Sequence, residues 1–228
     1  MINNSNNSFI CKNAKCYIFD LDGTLYDSVS DIALCCNDAL REFDLPEHKK
    51  EEYIHFIGNG ERKLIERAIG SKFLTDQLCD KVQNKYKEIY ATGYDKTSDK
   101  FDGIMELLKN LKSQNKLICI ASNKPDNFVK DISKKHFDDI FDFVVGQKDG
   151  YKVKPDNRAV LEMLKELNLK NSDCVFIGDS YVDIETANNC NIKSVFATYG
   201  YGKNELALEF NPDFIVDSVA ELSLLLCL

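Results

Sequence analysis

Short apolar runs alternate with helical patterns along most of this chain, and this alternation restricts its fold more than any other feature. Six runs have the length and composition of buried strands, at residues 16–19, 117–121, 143–145, 175–177, 194–197 and 214–216. Between most of them, segments such as 103–111 and 159–167 have apolar residues at the i, i+3, i+4 and i+7 spacing of amphipathic helices. Strands that alternate with helices predict βαβ units. We therefore expect an α/β fold with a parallel, Rossmann-like sheet covered on both faces.

One region interrupts the alternation. From about Val29 to about Lys96 there is no strand pattern, and the apolar residues form helical stripes. The stripes are Val29, Ile32, Ala33, Cys36, Ala39, Leu40 and Phe43; then Leu64, Ile65, Ala68 and Ile69; then Val82, Tyr86, Ile89 and Tyr90. We expect an inserted helical domain over residues 28–97 that returns to the sheet near residues 97–101. The core domain is then residues 1–27 and 98–228.

Composition excludes several classes of function. The net charge of −8 argues against a broad surface for nucleic acid. The polar N-terminus has no apolar segment of signal-peptide length, and no apolar run approaches the roughly 18 residues of a membrane helix. The most apolar segment, residues 222–228, fits the end of a packed helix.

The cysteines indicate the compartment. Nine scattered cysteines without a Cys-x-x-Cys pair favour a reducing environment, so we expect a cytoplasmic protein without a membrane or nucleic-acid partner. The oligomeric state stays open.

Polar and charged side chains follow four of the apolar runs. In an open parallel sheet the carboxyl ends of the strands meet at one edge, where ligands bind. The residues that follow these runs are Asp20 and Asp22; Ser122, Asn123 and Lys124; Lys148, Lys152 and Lys154; and Asp179 and Asp183. We therefore expect them to lie close together.

This inventory suits phosphoryl transfer. Mg²⁺ prefers one or two carboxylates together with phosphate oxygens and water, and Asp20 and Asp179 can supply the carboxylates, with Asp183 close by. Donors are needed for the negative charge on the transferred phosphoryl group, and the candidates are Ser122, Asn123 and Lys154. A carboxylate can also act as the nucleophile, and a second carboxyl group can protonate the leaving oxygen.

Each cluster alone has a simpler interpretation. Asp22-Gly23 is a strong signal for a tight turn, and an acid at residue 179 or 183 can cap a helix or occupy its first turn. A calcium loop of the EF-hand type is excluded, because it needs Gly at the sixth position from Asp20 and Glu at the twelfth, where this chain has Leu25 and Asp31. The functional interpretation depends on the set of clusters in order.

The set resembles the haloacid dehalogenase superfamily of aspartate-nucleophile phosphatases over essentially the whole chain. The first motif of that superfamily, DxDGT, is matched by residues 20–24, and the second, a Ser or Thr after the next strand, by Ser122. The third, a Lys that Pro often follows, is matched by Lys154, and the fourth, GDxxxD, by residues 178–183.

The resemblance implies a role for each matched residue. Asp20 resembles the nucleophile and a Mg²⁺ ligand, and Asp22 resembles the general acid and base, with its backbone carbonyl as a further metal ligand. Ser122 and Lys154 resemble the phosphate-binding residues. Asp179 resembles a direct metal ligand, which Asp183 supports.

The helical insert resembles the mobile cap that this superfamily carries between its first and second motifs. Residues 57–60, 64–68, 122–125 and 198–201 are similar to the phosphoglycolate phosphatase subgroup. The resemblance implies a Mg²⁺-dependent phosphomonoesterase for a small phosphorylated metabolite, with an aspartyl-phosphate intermediate. A phosphomutase of the β-phosphoglucomutase type and a pyrophosphatase or nucleotidase stay open as alternatives. A non-enzymatic metal-binding scaffold has no need for Asp22 beside Asp20, and dehalogenases lack that acid.

Specificity is expected to lie in the cap, because the core motifs bind only phosphate and metal. Asn59 lies in a Gly-Asn-Gly loop, and glycines let a backbone approach a ligand closely. Arg62 follows within one turn and suits a bidentate contact with a substrate carboxylate. Both residues are predicted to contact the substrate.

Overall fold

A computed structural model describes residues 13–148, 150–202 and 204–227. Its main sheet has six parallel strands, which are β1 (Cys16–Phe19), β4 (Leu117–Pro125), β5 (Phe143–Gln147), β6 (Cys174–Gly178), β7 (Lys193–Ala197) and β8 (Phe214–Val216). Their order across the sheet is β5-β4-β1-β6-β7-β8. All six apolar runs predicted as strands are confirmed, and β4 continues past its apolar run into polar residues.

Helices cover both faces of this sheet, as the sequence predicts. They are α5 (Ile104–Ser113), α6 (Asp126–His136), α7 (Arg158–Glu166), α8 (Tyr181–Cys190), α9 (Asn204–Glu209) and α10 (Val219–Cys227), with a short 3₁₀ turn at Asn171–Asp173. Alternate residues of a strand face opposite sides of a sheet. Tyr17 and Phe19 of β1 therefore pack with α5, α6 and α10, while Cys16 and Ile18 pack with α7 and α8. Both apolar clusters are buried, which fixes the register of the strands.

The insert is helical, as predicted. It comprises α1 (Val29–Arg41), α2 (Lys50–Tyr53), α3 (Glu61–Ile69) and α4 (Asp76–Gly93), whose apolar stripes pack into one cluster that Phe128 and Tyr201 of the core also join. We call this unit the cap. Two short antiparallel strands, β2 (Tyr26–Asp27) and β3 (Asp99–Lys100), pair where the chain leaves and re-enters the core.

A buried carboxylate ties the two connections of the cap together. Asp31 in the first turn of α1 is fully buried. It accepts hydrogen bonds from the Lys96 backbone N–H at 2.8 Å and from the backbone and hydroxyl groups of Thr97 and Ser98 at 2.6–3.1 Å. Burial alone would raise the pKa of Asp31, but these donors outweigh it and hold the pKa below its usual range.

Some sequence predictions fall outside the described residues, namely the polar N-terminal tail up to residue 12 and the last residue of the apolar C-terminal segment. The rest of that segment lies in α10. The described cysteines are free thiols, and Cys35, Cys119 and Cys174 are buried. Among the described residues, no helix combines the length and apolar character that crossing a membrane requires.

Candidate active site

The predicted site residues meet at the carboxyl edge of the sheet. Asp20 follows β1, Asp179 follows β6, and Ser122 lies in the last part of β4. Lys154 reaches the same place from the loop between β5 and α7. The pairing of β4 with β5 shifts register between Ala121 and Pro125, so the end of β4 departs from regular pairing where its polar side chains reach the site.

Three buried carboxylates form the centre of the site. Asp20, Asp179 and Asp183 each place an oxygen so that all three oxygens lie within 4.8 Å of one another. Burial raises the pKa of Asp20 to about 6, against the lowering effect of Lys154. Burial and the charges of Asp183 and Asp20 raise the pKa of Asp179 well above its usual range. The protein alone therefore surrounds Asp20 and Asp179 with groups that oppose their ionisation.

Lys154 joins two of these acids. Its Nζ donates to Asp20 Oδ1 at 2.8 Å, to Asp183 Oδ1 at 2.6 Å and to the Ala121 carbonyl at 2.8 Å. Burial disfavours the ammonium, but the two carboxylates outweigh it and raise the pKa of Lys154 above its ordinary value. Lys154 is therefore a fixed positive charge beside the predicted nucleophile.

Asp179 is held by groups from two loops. Its Oδ1 accepts from the Thr24 hydroxyl at 3.2 Å, and its Oδ2 accepts from the backbone N–H groups of Tyr201 at 2.7 Å and Gly202 at 3.2 Å. A Cβ at Gly200 would lie 2.3 Å from Asp179 Cβ, and one at Gly202 would lie 1.6 Å from the Asp179 carbonyl oxygen. These two glycines let the loop after β7 approach the acid, a role that their spacing alone does not indicate.

Asp183 combines a contact within the first turn of α8 with a contact to Lys154, and its role beside a metal remains a prediction. As a first-turn acid of α8, its Oδ2 accepts from the Ser180 backbone N–H at 3.0 Å and from the Ser180 hydroxyl at 2.6 Å. Its Oδ1 faces Lys154. A Cβ at Gly178 would lie 2.3 Å from the Asp183 side chain, so only glycine leaves room for this acid.

Asp22 has a different environment from Asp20. It accepts from the Ser28 hydroxyl at 2.6 Å, and Lys124 Nζ lies 2.9 and 3.1 Å from its two carboxylate oxygens. The Lys124 ammonium also lies 5.0 Å from the centre of the Tyr90 ring in the cap. Burial opposes the charge of Lys124, but Asp22 outweighs it and raises the pKa of the lysine above its ordinary value. The sequence places Lys124 in one of the predicted clusters but indicates no role for it.

Asn123 uses its amide to connect protein segments. The side chain accepts from the Lys154 backbone N–H at 2.6 Å and donates to the Lys154 carbonyl at 3.1 Å and to the Gly58 carbonyl of the cap at 2.9 Å. Ser122 lines the same pocket as Asp20, and its hydroxyl accepts from the Lys124 backbone N–H at 3.3 Å. The role of Asn123 and Ser122 in binding phosphate remains a prediction.

The carboxylates open into a pocket of about 720 Å³ between the core and the cap, part of which is continuous with solvent. The floor carries Asp20, Asp22 and Asp179. The cap wall is apolar and aromatic apart from Glu61, and its other side chains are Ile32, Ile54, Ile57, Leu64, Tyr86 and Tyr90. The pocket therefore joins an acidic floor to a largely apolar wall.

Neither predicted specificity residue lines this pocket in the described part of the chain. The Asn59 amide donates to the Tyr181 hydroxyl of α8 at 2.9 Å and accepts from Arg67 at 2.7 Å, so it joins the cap to the core. The Arg62 guanidinium pairs with Glu66, Asp76 and Asp80 in the cap. A role for either residue in reading the substrate stays a prediction.

The donor set fits a hard divalent cation. The three carboxylates of the cluster are buried, and the pKa values of Asp20 and Asp179 are raised because Lys154 offsets only part of the negative charge. A bound cation would supply the positive charge that the protein lacks here. Mg²⁺ takes oxygen ligands of this kind. The family-implied metal is thus compatible with the residues present.

Comparison with known proteins gives consistent matches. A family model described as haloacid dehalogenase-like hydrolase matches residues 17–197. A phosphoglycolate phosphatase from Mannheimia succiniciproducens is 32% identical over 211 residues, which cover 90% of this chain and 94% of the relative. A protein of the same name from Colwellia psychrerythraea is 33% identical over 211 residues, with 90% and 93% covered.

Solved structures agree with the sequence relatives. A crystal structure described as a predicted phosphoglycolate phosphatase from Haemophilus somnus has a TM-score of 0.84 at 28% identity and covers 92% of this chain and 96% of its own. CbbY from Rhodobacter sphaeroides, solved in complex with phosphate, has a TM-score of 0.73 at 20% identity, with 92% and 96% covered. At that identity the second match shows a shared fold alone.

Proposed function

Because the chain belongs to the haloacid dehalogenase-like hydrolase family and is a phosphatase, we propose that it is a Mg²⁺-dependent phosphomonoesterase acting on phosphoglycolate or a closely similar small phosphate. The family match confirms the resemblance that the four motifs indicate. The observation that carries the proposal is the packing of Asp20, Asp179 and Asp183 within 4.8 Å beside the Lys154 ammonium. Relatives named phosphoglycolate phosphatase support the substrate.

In the proposed reaction, a carboxylate oxygen of Asp20 attacks phosphorus. An O–P bond forms while the bond between phosphorus and the ester oxygen breaks, and Asp22 gives the departing alkoxide its proton. Asp22 then removes a proton from water, which attacks the aspartyl-phosphate at phosphorus, releases inorganic phosphate and restores Asp20. One carboxylate thus attacks while the other moves protons, which accounts for the two acids of the first motif.

The other residues hold charge and geometry. Lys154 and Ser122, with Asn123, are proposed to bind the phosphoryl oxygens, because positive charge and hydrogen-bond donors stabilise the transferring group. Asp20, Asp179 and the Asp22 carbonyl would hold Mg²⁺ with the support of Asp183. Bound Mg²⁺ supplies positive charge that offsets both the carboxylates and the phosphoryl oxygens.

The cap is proposed to comprise residues 28–97, with residues 1–27 and 98–228 as the core. Closing over a site excludes water and strengthens the electrostatic contacts inside it. Free thiols at the described cysteines fit a reducing compartment, and on that basis we propose a cytoplasmic location.

The test measures phosphate release by the purified full chain. With Mg²⁺, phosphoglycolate should be hydrolysed faster than a panel of sugar phosphates, nucleoside monophosphates and pyrophosphate, and excess EDTA should abolish turnover. Acid-quenched enzyme should carry a phosphoryl group by intact-mass spectrometry, and an Asp20→Asn variant should not. Conversion of β-glucose 1-phosphate into its 6-phosphate isomer without release of phosphate would instead identify a phosphomutase.

A further inference from the structure

The charged side chains that line the pocket are mostly negative. Among the described lining residues, the acids are Asp20, Asp22, Asp179 and Glu61, and the cation is Lys124. Lys154 is not among them, because it lies behind the acids with its ammonium on Asp20 and Asp183. A substrate that enters with a second negative group therefore meets positive protein charge at Lys124.

Lys124 is built into the junction of core and cap. Its side chain is 4% exposed, and it leaves β4 to reach Asp22 on one side and the Tyr90 ring of α4 on the other. An ammonium has three N–H donors and points them in different directions, and the partners of Lys124 are the Asp22 carboxylate and the Tyr90 side chain. A second anion in the pocket would approach the same ammonium beside these two partners.

On the cap side of the pocket, the carboxylate of Glu61 disfavours binding of a second anion. The Glu61 side chain is 7% exposed, accepts from the Gln83 amide at 2.7 Å and lies 3.5 Å from Lys87 Nζ. A carboxylate placed against Glu61 would face a like charge at low exposure, which is unfavourable. Arg62, the other candidate reader of a carboxylate, is paired with three acids of the cap.

We propose that Lys124 is the specificity-determining residue that binds the second anionic group of the substrate, a carboxylate one methylene from the ester oxygen. The inference rests on the proposed function. With phosphorus beside Asp20 and the ester oxygen beside Asp22, the remainder of a short substrate lies next to the partner of Asp22, which is Lys124. The same lysine thereby links recognition of the leaving group to the acid that protonates it.

The experiment compares phosphoglycolate with ethyl phosphate, which keeps the two-carbon ester and replaces the carboxylate by a methyl group. In Lys124→Met, kcat/KM for phosphoglycolate should fall roughly 10- to 100-fold more than kcat/KM for ethyl phosphate, because one charged hydrogen bond is lost. Lys124 also contacts Asp22, so both substrates are expected to lose rate, and the ratio between them removes that shared loss. Lys124→Arg should keep most of the preference, because it keeps the charge.

Matched controls separate this contact from other causes. Lys135 also lies over a tyrosine ring and pairs with an aspartate, but its side chain is 51% exposed and outside the pocket, so Lys135→Met should leave both rates unchanged. Arg62→Ala tests the alternative reader. Lys124→Gln, of similar length and polar, replaces Lys124→Met if circular dichroism shows that the methionine variant does not fold.

The outcomes distinguish the two proposals. A wild-type enzyme that hydrolyses ethyl phosphate, or the cationic phosphoethanolamine, as well as phosphoglycolate would overturn the proposed substrate. If the preference of the wild type for phosphoglycolate is retained in the folded Lys124 variant, Met or its replacement Gln, the proposed substrate stands and the assignment of Lys124 is overturned. If the preference for phosphoglycolate over ethyl phosphate is lost in Arg62→Ala and kept in the Lys124 variant, Arg62 and not Lys124 binds the carboxylate.

Discussion

Asp20 and Asp22 are two residues apart, yet they have different partners, and their partners explain why one motif needs both acids. Asp20 shares Lys154 with Asp183 inside the carboxylate cluster. Asp22 stands apart from that cluster, and Ser28 and Lys124 hold its carboxylate toward the pocket. A nucleophile benefits from a fixed position beside phosphate-binding charge, whereas a proton donor must face the leaving oxygen.

The division of labour predicts a dependence on the leaving group. Asp22→Asn should reduce kcat for an alkyl phosphate by about 10²- to 10⁴-fold, the usual contribution of general acid catalysis. The loss should be smaller for an aryl phosphate, because its leaving group needs less protonation. Steady-state rates on ethyl and 4-nitrophenyl phosphate provide the comparison.

Asp20→Asn is the control for this prediction, since loss of the nucleophile should abolish turnover of both esters. Equal losses for the aryl and alkyl esters in Asp22→Asn would falsify the assignment of Asp22 as the proton donor.

Single residues also show where sequence reasoning reaches its limit. Asp20, Ser122, Lys154, Asp179 and Asp183 could be predicted to meet, because strand ends share one edge of a parallel sheet. The lysine partner of Asp22 could not, since the pairing depends on how far the end of β4 departs from regular register. Hydrogen bonds that join distant loops, such as those of Asn123, leave no local pattern in a sequence.

At the scale of elements, the apolar runs and the helical stripes were predictable, and the two-residue strands were not. The central strands of the main sheet appear as continuous apolar runs because both of their faces are buried, and the stripes of α1, α3 and α4 follow the 3.6-residue period of helices with one buried face. The strands β2 and β3 have two residues each, too few to display a period. They form because the cap leaves and re-enters the core side by side.

The buried carboxylate of Asp31, with its donors at residues 96–98, predicts a specific pH dependence of the free energy of unfolding. Because its folded-state pKa is lowered, its contribution is present above the unfolded value of about 3.9 and is lost as pH falls through the lower, folded value. Asp31→Asn should therefore lower the free energy of unfolding by about 1–3 kcal/mol at pH 7. The difference from wild type should shrink below about pH 4.

Urea unfolding at pH 7 and below pH 4 provides this measurement. Asp38→Asn on the same helix is the control, because Asp38 pairs with Arg41 at an exposed site, where ion pairs contribute little. A pH-independent difference between wild type and Asp31→Asn would contradict the role of the carboxylate charge.

The loop at Gly58 and Asn59 connects the cap to the core by two hydrogen bonds, one from Asn123 to the Gly58 carbonyl and one from Asn59 to the Tyr181 hydroxyl. Tyr181→Phe removes the second bond without changing the pocket lining. We expect kcat/KM to fall roughly 2- to 10-fold, the worth of one neutral hydrogen bond, and by the same factor for phosphoglycolate and ethyl phosphate.

Asn59→Ala should cost at least as much as Tyr181→Phe, because it also removes the hydrogen bond from Arg67. The double variant should cost little more than Asn59→Ala alone, because both changes remove the same contact between Asn59 and Tyr181. A selective loss on phosphoglycolate in Asn59→Ala, but not in Tyr181→Phe, would show that Asn59 contacts the substrate, as the sequence analysis predicted.

Viewed as a whole molecule, the protein concentrates buried acids at the one edge where its strands, loops and cap converge. Lys154 and Lys124 offset part of that charge, and the raised pKa values of Asp20 and Asp179 show that the offset is incomplete. A functional site that opposes folding in this way is common, because selection acts on activity once stability suffices. The missing positive charge is what a divalent cation would bring.

This charge imbalance predicts opposite effects of pH with and without metal. The folded-state pKa of Asp20 is raised to about 6, so in EDTA the folded protein binds more protons than the unfolded chain between roughly pH 4 and pH 6. The metal-free protein should therefore become more stable as pH falls from 7 to 5. At pH 7, Mg²⁺ at a hundredfold excess over its Kd should add about 2.7 kcal/mol, or roughly 5–10 °C in Tm. With saturating Mg²⁺ the gain in stability at low pH should disappear, because protons and metal compete for the same oxygens.

Thermal unfolding at pH 7 and 5, in EDTA and in Mg²⁺, measures all four conditions. Asp179→Asn is the control: it should be at least as stable as wild type in EDTA and should lose the response to Mg²⁺. If Mg²⁺ does not change the Tm of the wild type at either pH, the prediction that a divalent cation binds at this site is wrong.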